Sequence, residues 1–489
     1  MNGFSDKKFL ENYFKTDSSG GEKMQDNFQT CDTKLLPFTL NPLSGCVYDG
    51  TCGLLGVAGE FYRLKTQSDI EPIYSVSSSK ELVAKELKSK YKMPDEDIER
   101  FIKVFEDVMF EDDSVNVIDP SFFAYVPMKF FDKSSREISK LNKYRSGQPK
   151  IAQYYTSIAE EFMDEMEKSQ KDLFCDLVST CLQKDNDFKK EAETEKYYVL
   201  PFIKHSFAKD LEWLLKQSNG VVVKYMPLML YFYACYSLIQ TLSFMNKKNW
   251  GESISNPKKV TYMLTSEKAT HHADAVRKGW MSADVLPESF LNKMSSYAQA
   301  LDILNLLFED KQEYMTFQDI LALFDAIDFE KDIDARSVCE RVLSKYQHHK
   351  RELLKSRTTE TGALPDEIDT TVLSGRQFVD KLLDLCVSLQ SKDYPRMKHA
   401  MYSLAYIKLL ESRKEYKVLV LDEDMLLFLV AMMAKDERIR IDDLYRRFES
   451  FGICFSFQTK NAICDYLQKL NLLERKSDSG EAQYVRVVL

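Results

Sequence analysis

Between Tyr225 and Met245 this chain of 489 residues carries no charged side chain. A helix over that run is about as long as the apolar thickness of a bilayer, so the rest of the chain folds either around a membrane span or around a core helix. The run contains Pro227, Ser237, Gln240, Thr241, Ser243, Tyr225, Tyr231, Tyr233 and Tyr236, more polar material than lipid readily solvates. No second run of this kind accompanies it. The expectation is a helix buried at the centre of a large helical domain, with no membrane partner. The start, Asn2 to Asp32, is polar and lacks the apolar core of a secretory leader. Ten cysteines are scattered along the chain, which suits reduced thiols and a cytoplasmic location.

Hydropathic spacing divides the chain into three parts: an N-terminal region over 1–128, a helical body over 129–417 and a small mixed domain over 421–489. With 44% apolar residues each can bury a core. Residues 1 to about 33 read as a loosely ordered polar leader. Residues 35–73, with Pro37, Pro42, Gly45, Gly50, Gly53, Gly56 and Gly59, read as an ordered loop packed on the body. Helical texture follows at 79–91 and, strongly acidic, at 95–110. In the body, apolar residues recur three and four apart over 151–181, 207–217, 287–308, 317–324, 335–354, 375–390 and 396–413. Few runs look like strands, and breaks fall at 146–149, 246–257 and 358–371.

The last part reads as a winged helix. An apolar run from Met425 to Ala434 suits a first helix, and alternating Arg438, Ile439, Arg440 and Ile441 a brief strand. Leu444, Phe448 and Phe451, then Ile463, Tyr466, Leu467 and Leu470, mark two amphipathic helices. Residues 472–476 and 483–488 are strand-like, joined by Ser477, Asp478, Ser479 and Gly480, which tolerate a tight turn. The fold class is therefore mainly α, a large helical body with a C-terminal winged-helix domain. From Leu421 onward ten basic residues face twelve acidic ones. The second helix of the pair offers Lys460 and Lys469 against Asp465, and the wing Arg475, Lys476 and Arg486. Docking, with backbone contact through the wing, fits this balance better than reading of base edges.

No catalytic, metal or cofactor set emerges. Gly53 to Gly59 leads into Glu60 and Phe61 rather than the Lys-Ser/Thr of a phosphate loop. Cys31, Cys46 and Cys52 are spaced too widely for a thiolate metal site and have no nearby histidine. The pairs His271 with His272 and His348 with His349 point neighbouring side chains apart. Asp325, Asp328, Asp332 and Asp334 lack the glycine and ligand alternation of a calcium loop. The expectation is a non-enzyme.

What remains is segregated charge in a chain of net charge -9. Total charge argues against a general nucleic-acid coat, so any DNA surface is local. Lys129, Lys133, Arg136, Lys140, Lys143, Arg145 and Lys150 form one basic block. Lys247, Lys248, Lys258, Lys259, Lys268, Arg277 and Lys278, interleaved with Trp250, Tyr262 and Trp280, form a second. Lys345, Lys350, Arg351, Lys355 and Arg357 form a third. The bland reading is solvated helix faces. The candidate DNA contacts are Lys247, Lys248, Lys258, Lys259, Arg277 and Lys278, then Lys140, Lys143 and Arg145, with Arg475 and Lys476 in the wing.

Two segments, LPFTLNPLSGCVYDGTCGLLGVAGEFYRL over 36–64 and KLNLLERKSDSGEAQYVRVVL over 469–489, resemble the G subunit (DptG or DndG family) of bacterial restriction systems that depend on DNA phosphorothioation. The resemblance implies a part in antiviral host defence: sulfur marks self DNA, and the restriction arm attacks unmarked DNA. It further implies a DNA-contacting, bridging companion of an F-type ATPase and an H-type ATPase or helicase-like subunit. The expected function is thus a non-catalytic adaptor that contacts duplex DNA independently of sequence. Two alternatives are a winged-helix transcriptional regulator with a helical sensor domain, and an unrecognised nuclease.

Overall fold

The computed structural model describes residues 3–16, 20–24, 30–35, 53–66, 72–73, 75–111, 114–127, 148–159, 173–182, 196–309, 311, 313–357, 364–390, 395–475 and 483–488. It is rich in helix, with small sheets. Several helix starts carry the side-chain caps that satisfy orphan amides. Ser374 accepts from Gln377, Asp422 from Met425 and Ser456 from Thr459, while Thr316 and Asp319 exchange bonds in a capping box.

The N-terminal stretch is not a loose leader in the residues described. Helix α1 (Lys7–Tyr13) buries Phe9 and Tyr13 completely, and a short hairpin pairs Phe14–Thr16 with Glu22–Met24. Its polar composition hid an apolar stripe, and its partners lie far along the chain. Asp302, itself buried, accepts from the Tyr13 hydroxyl at 3.1 Å, the Thr30 amide and hydroxyl at 2.8 Å each and the Cys31 amide at 3.1 Å. Four donors onto one carboxylate is how a charge is held out of water.

The glycine-rich interval also departs from expectation. Residues 36–52 and 67–71 lie outside the described residues, but Gly53–Thr66 is a helix, α2, rather than loop. Glycine serves close approach there. A Cβ on Gly59 would stand 2.8 Å from the carbonyl oxygens of Phe123 and Val126, so only a bare Cα fits. One turn on, buried Arg63 donates to the carbonyls of Ala124 and Val126 at 2.7 and 2.8 Å. The expected break at 146–149 is corrected in part, since Pro149 sits in the first turn of helix Gln148–Ile158, where its missing amide costs nothing.

Helix α3 (Pro201–Leu215) leads into α4 (Asn219–Met245), which contains the uncharged run and in which every residue from Met229 to Met245 is buried. This is the one helix among the described residues long and apolar enough to cross a membrane, and 78% of its most apolar window is buried inside the protein. Two of its polar side chains tie it to neighbouring backbone. Gln240 donates to the Lys258 carbonyl at 3.0 Å and accepts from the Lys258 amide at 2.8 Å. The Tyr231 hydroxyl donates to Ala405 at 2.9 Å and accepts from Lys408 and Leu409.

A four-stranded sheet in the body was not expected. Strand β1 (Val260–Leu264) is buried on both faces, as central strands of parallel sheets are. Helix α5 (Met294–Leu306), which carries Asp302, follows it. The expected helix over 396–413 ends at Ala405, and the chain turns into β2 (Leu410–Arg413) and β3 (Tyr416–Leu421). Beyond lie α6 (Glu423–Ala434), β4 (Ile439–Arg440), α7 (Ile441–Ser450), β5 (Ile453–Phe455), α8 (Phe457–Lys469), β6 (Leu473–Arg475) and β7 (Gln483–Val485). Strands β4, β7 and β6 form an antiparallel sheet in that order, with Ile439 opposite Val485 and Glu474 opposite Tyr484.

Strand β5 turns the other way. It pairs in parallel with β1, giving a sheet of order β5-β1-β3-β2 that joins the C-terminal segment to the body. A second tie lies at the end of α6. Lys435 has φ 54 and ψ -139, a conformation that favours glycine, and its Nζ stands 3.3 Å from buried Asp210 of α3. Asp436 accepts from Trp213 Nε1 and Gln217 Nε2, each at 3.3 Å. Burial pushes the Asp210 carboxyl up to about 6, against the lowering pull of the Tyr233 hydroxyl at 2.6 Å and of Lys435.

Candidate nucleic-acid interface

The second basic block divides sharply once its neighbours are known. Lys247 stands 2.6 Å from Asp380, and Lys248 pairs with Asp284, whose carboxyl it holds below the usual range. Lys258 is mostly buried, paired with Glu252 and bonded to Asn249 Oδ1 at 2.9 Å. Arg277 lies 2.9 Å from Asp274, and the same carboxylate is 3.7 Å from Lys278, whose side chain is 68% exposed. Lys259 is exposed and makes no ion pair among the described residues. A cation already matched by a carboxylate offers phosphate little net charge, so Lys259 and Lys278 are the strongest of the set.

The aromatic residues among these cations do not form a stacking platform. Trp250 packs at 4.5 Å on Phe317 and donates to the Met245 carbonyl, Trp280 donates to the Lys417 carbonyl, and Tyr262 lies inside β1. All three are core. Base stacking of the kind that single-stranded binders use would need them at the surface.

Lys140, Lys143, Arg145 and Lys476 lie outside the described residues, and of Arg475 only the backbone, in β6, is described. Arg486 is spent on Glu474, as is Arg438. The third block is largely matched by carboxylates or buried: Lys345 to Glu22 at 2.9 Å, Arg351 to Glu367 at 3.3 Å and, at the surface, Lys355 to Glu352 at 2.7 Å, while Lys350 is 1% exposed.

Sequence reading kept Lys460 apart from the second block, yet the fold joins them. In the parallel pairing, Val260 faces Ile453 and Thr261 faces Cys454. The Val260 amide donates to Gly452 at 2.8 Å, and the Thr261 amide donates to Lys278 at 3.0 Å. Lys259 thus sits at the foot of β1, Lys278 beside its second residue, and Lys460 on α8 just after β5. Burial raises the Cys454 thiol and Glu449 adds to that, while Lys259, Lys460 and Lys278 all pull it down, so three cations share one neighbourhood. No short-range motif in the sequence carries this, because β5 and β1 are distant in the chain.

Thr459, in the first turn of α8, is buried and donates to Glu267 of the body at 3.1 Å. The helix presents outward Phe457, Gln458, Asn461, Asp465, Gln468 and Lys469. Of the ten cysteines, eight are described as free thiols, six of them buried; burial pushes Cys181 up to about 11 and Cys235 and Cys386 to about 12. Among the described residues no group of three or more His, Cys, Asp or Glu is placed to hold a metal ion, and Cys46 and Cys52 lie outside them. No protein-family model matches this chain, and no curated protein matches its sequence.

Proposed function

We propose that this chain is a non-catalytic adaptor of a DNA restriction complex of the phosphorothioation-dependent type, holding duplex DNA independently of sequence and bridging F-type ATPase and H-type ATPase or helicase-like subunits. The C-terminal segment acts as a winged helix used for docking, and the restriction assignment rests on the two resembling segments. One observation carries the docking reading. The three helices, the hairpin and the antiparallel β4-β7-β6 sheet support a winged-helix reading, and the second and third helices are separated by β5, which is spent in the body sheet. In such domains the N-terminal residues of the last helix read base edges in the major groove. Here that end is occupied by the body through Thr459 and Glu267, which favours backbone contact over base reading.

The test is competition binding of the full chain to labelled random duplex, with random and genomic fragments as competitors, with and without magnesium. Equal competition, a strong fall of affinity with salt and uncut DNA are expected. A preference for one sequence together with dimeric half-site binding supports the regulator instead, magnesium-dependent cutting supports a nuclease, and absence of DNA binding ends the proposal. Co-expression with F-type and H-type subunits of such a system is expected to yield one complex.

A further inference from the structure

We infer that the phosphodiester backbone of duplex DNA is held where β5 of the C-terminal segment joins β1 of the body, with Lys259, Lys278 and Lys460 as its contacts. The inference rests on the DNA-binding reading above and goes beyond it by locating the contact at a junction that neither part of the chain builds alone.

The geometry follows from the backbone. Gly452, at φ 80, lets the chain pass so close to the body that a Cβ there would meet the Lys258 carbonyl oxygen at 2.6 Å. The Val260 amide to Gly452 carbonyl bond then fixes the register, setting Lys259 beside Gly452, while the Thr261 amide holds the Lys278 carbonyl. The chain leaves β5 at Phe455, is capped by Ser456 and presents Lys460 one turn into α8. Lys460 lies 3.1 Å from Glu449 and 4.9 Å from the centre of the Tyr445 ring, with its side chain 30% exposed. Cys454, in β5 between these elements, stands opposite Thr261.

Charge availability separates this junction from the other candidates. Lys247 and Lys248 face one carboxylate each at short range. At the junction, Lys259 has no ion pair among the described residues and the Asp274 carboxylate nearest Lys278 is already bound by Arg277 at the shorter distance, so these two carry the available charge, while Lys460, paired with Glu449, is the weakest of the three contacts. Lysine side chains are flexible point charges, suited to successive phosphates rather than to the two-pronged grip that guanidinium gives a single carboxylate. The exposure of Lys259 and Lys278 matches a long phosphate-lined partner better than an enclosed single phosphate.

The test uses the full chain and a random duplex. The triple variant Lys259→Gln, Lys278→Gln, Lys460→Gln is expected to lose about tenfold or more in affinity at moderate salt, and its log-log salt slope is expected to fall by about two, because Lys460 is already matched by Glu449. A control, Lys88→Gln with Lys331→Gln, is expected to bind as the parent does. In the parent protein, duplex is expected to slow maleimide labelling of Cys454, read by the mass of its peptide, and this measurement stands whether or not the triple variant folds. A parent that binds DNA with Cys454 labelled at an unchanged rate, or a folded triple variant with parental affinity, overturns the junction while leaving the adaptor standing. A parent without DNA affinity overturns both.

Discussion

The N-terminal stretch and the C-terminal segment are both tied into the body, but the weight falls on different contacts. The N-terminal stretch centres on one side chain, a buried carboxylate on α5 that collects four donors from Tyr13, Thr30 and Cys31, with Arg341 gripping Asp6 from outside and short backbone pairings of Phe4 with Phe308 and of Thr33–Lys34 with Lys196–Tyr197. The C-terminal segment is held by backbone through β5 in the body sheet, with side-chain ties added at the end of α6 and the start of α8. A tie made of one side chain concentrates its stability in one residue, whereas a strand spreads it over several amides. The first is therefore the more vulnerable to a point substitution.

The largest effect is expected from Asp302→Ala, which leaves four donors, two of them buried, without their acceptor and should cost about 3 to 5 kcal/mol in chemical denaturation. If the N-terminal tie is as local as described, limited proteolysis of this variant should cut within residues 1–35 first. Gly452→Ala attacks the other tie where the chain runs closest. Positive φ and the 2.6 Å approach to Lys258 should cost about 2 to 3 kcal/mol, and a loss as large as that of Asp302→Ala would erase the contrast.

Asp210 sharpens the comparison through pH. Its carboxyl is raised from 3.8 to about 6 by burial, so the folded state holds the proton more tightly than the unfolded chain. Its contribution is full below about pH 4 and is lost as pH rises through 6, by about 3 kcal/mol at most. Asp210→Asn should remove this part of the pH dependence, which denaturation curves between pH 4 and 8 would register; an unchanged pH profile counts against a buried acid at the clamp. The smallest effect belongs to the surface. A double-mutant cycle on Lys247 and Asp380 should give a coupling of about 0.5 kcal/mol or less, since exposed pairs are screened and entropically costly.

The sequence was most legible where one local pattern decided the outcome. Lack of charge from Tyr225 to Met245 announced a buried helix, and the pattern of short helices and strands after Leu421 gave the observed elements except β5, which lies between two helices that the spacing placed in direct succession. It was misleading where composition hid spacing. In α2, Val57, Ala58, Phe61 and Tyr62 repeat at helical intervals, but three glycines in the same stretch suggested loop. In β1, five buried residues in a row look the same on a strand or a helix until their neighbours are known. The candidate site was half legible. The sign of the charges could be read, but the pairing of Lys247 with Asp380, 133 residues away, and the meeting of Lys259 with Lys460 depend on tertiary structure alone.

Strand β5 has a further consequence for the order of events at the ribosome. Strand β1 emerges early but gains its neighbour on that side only when translation has passed Phe455. Until then the nascent polypeptide displays an apolar edge, Val260 and Tyr262 included, open to wrong partners. Products terminated before Ile453 should therefore be cleared by proteases or aggregate rather than persist as a shortened body.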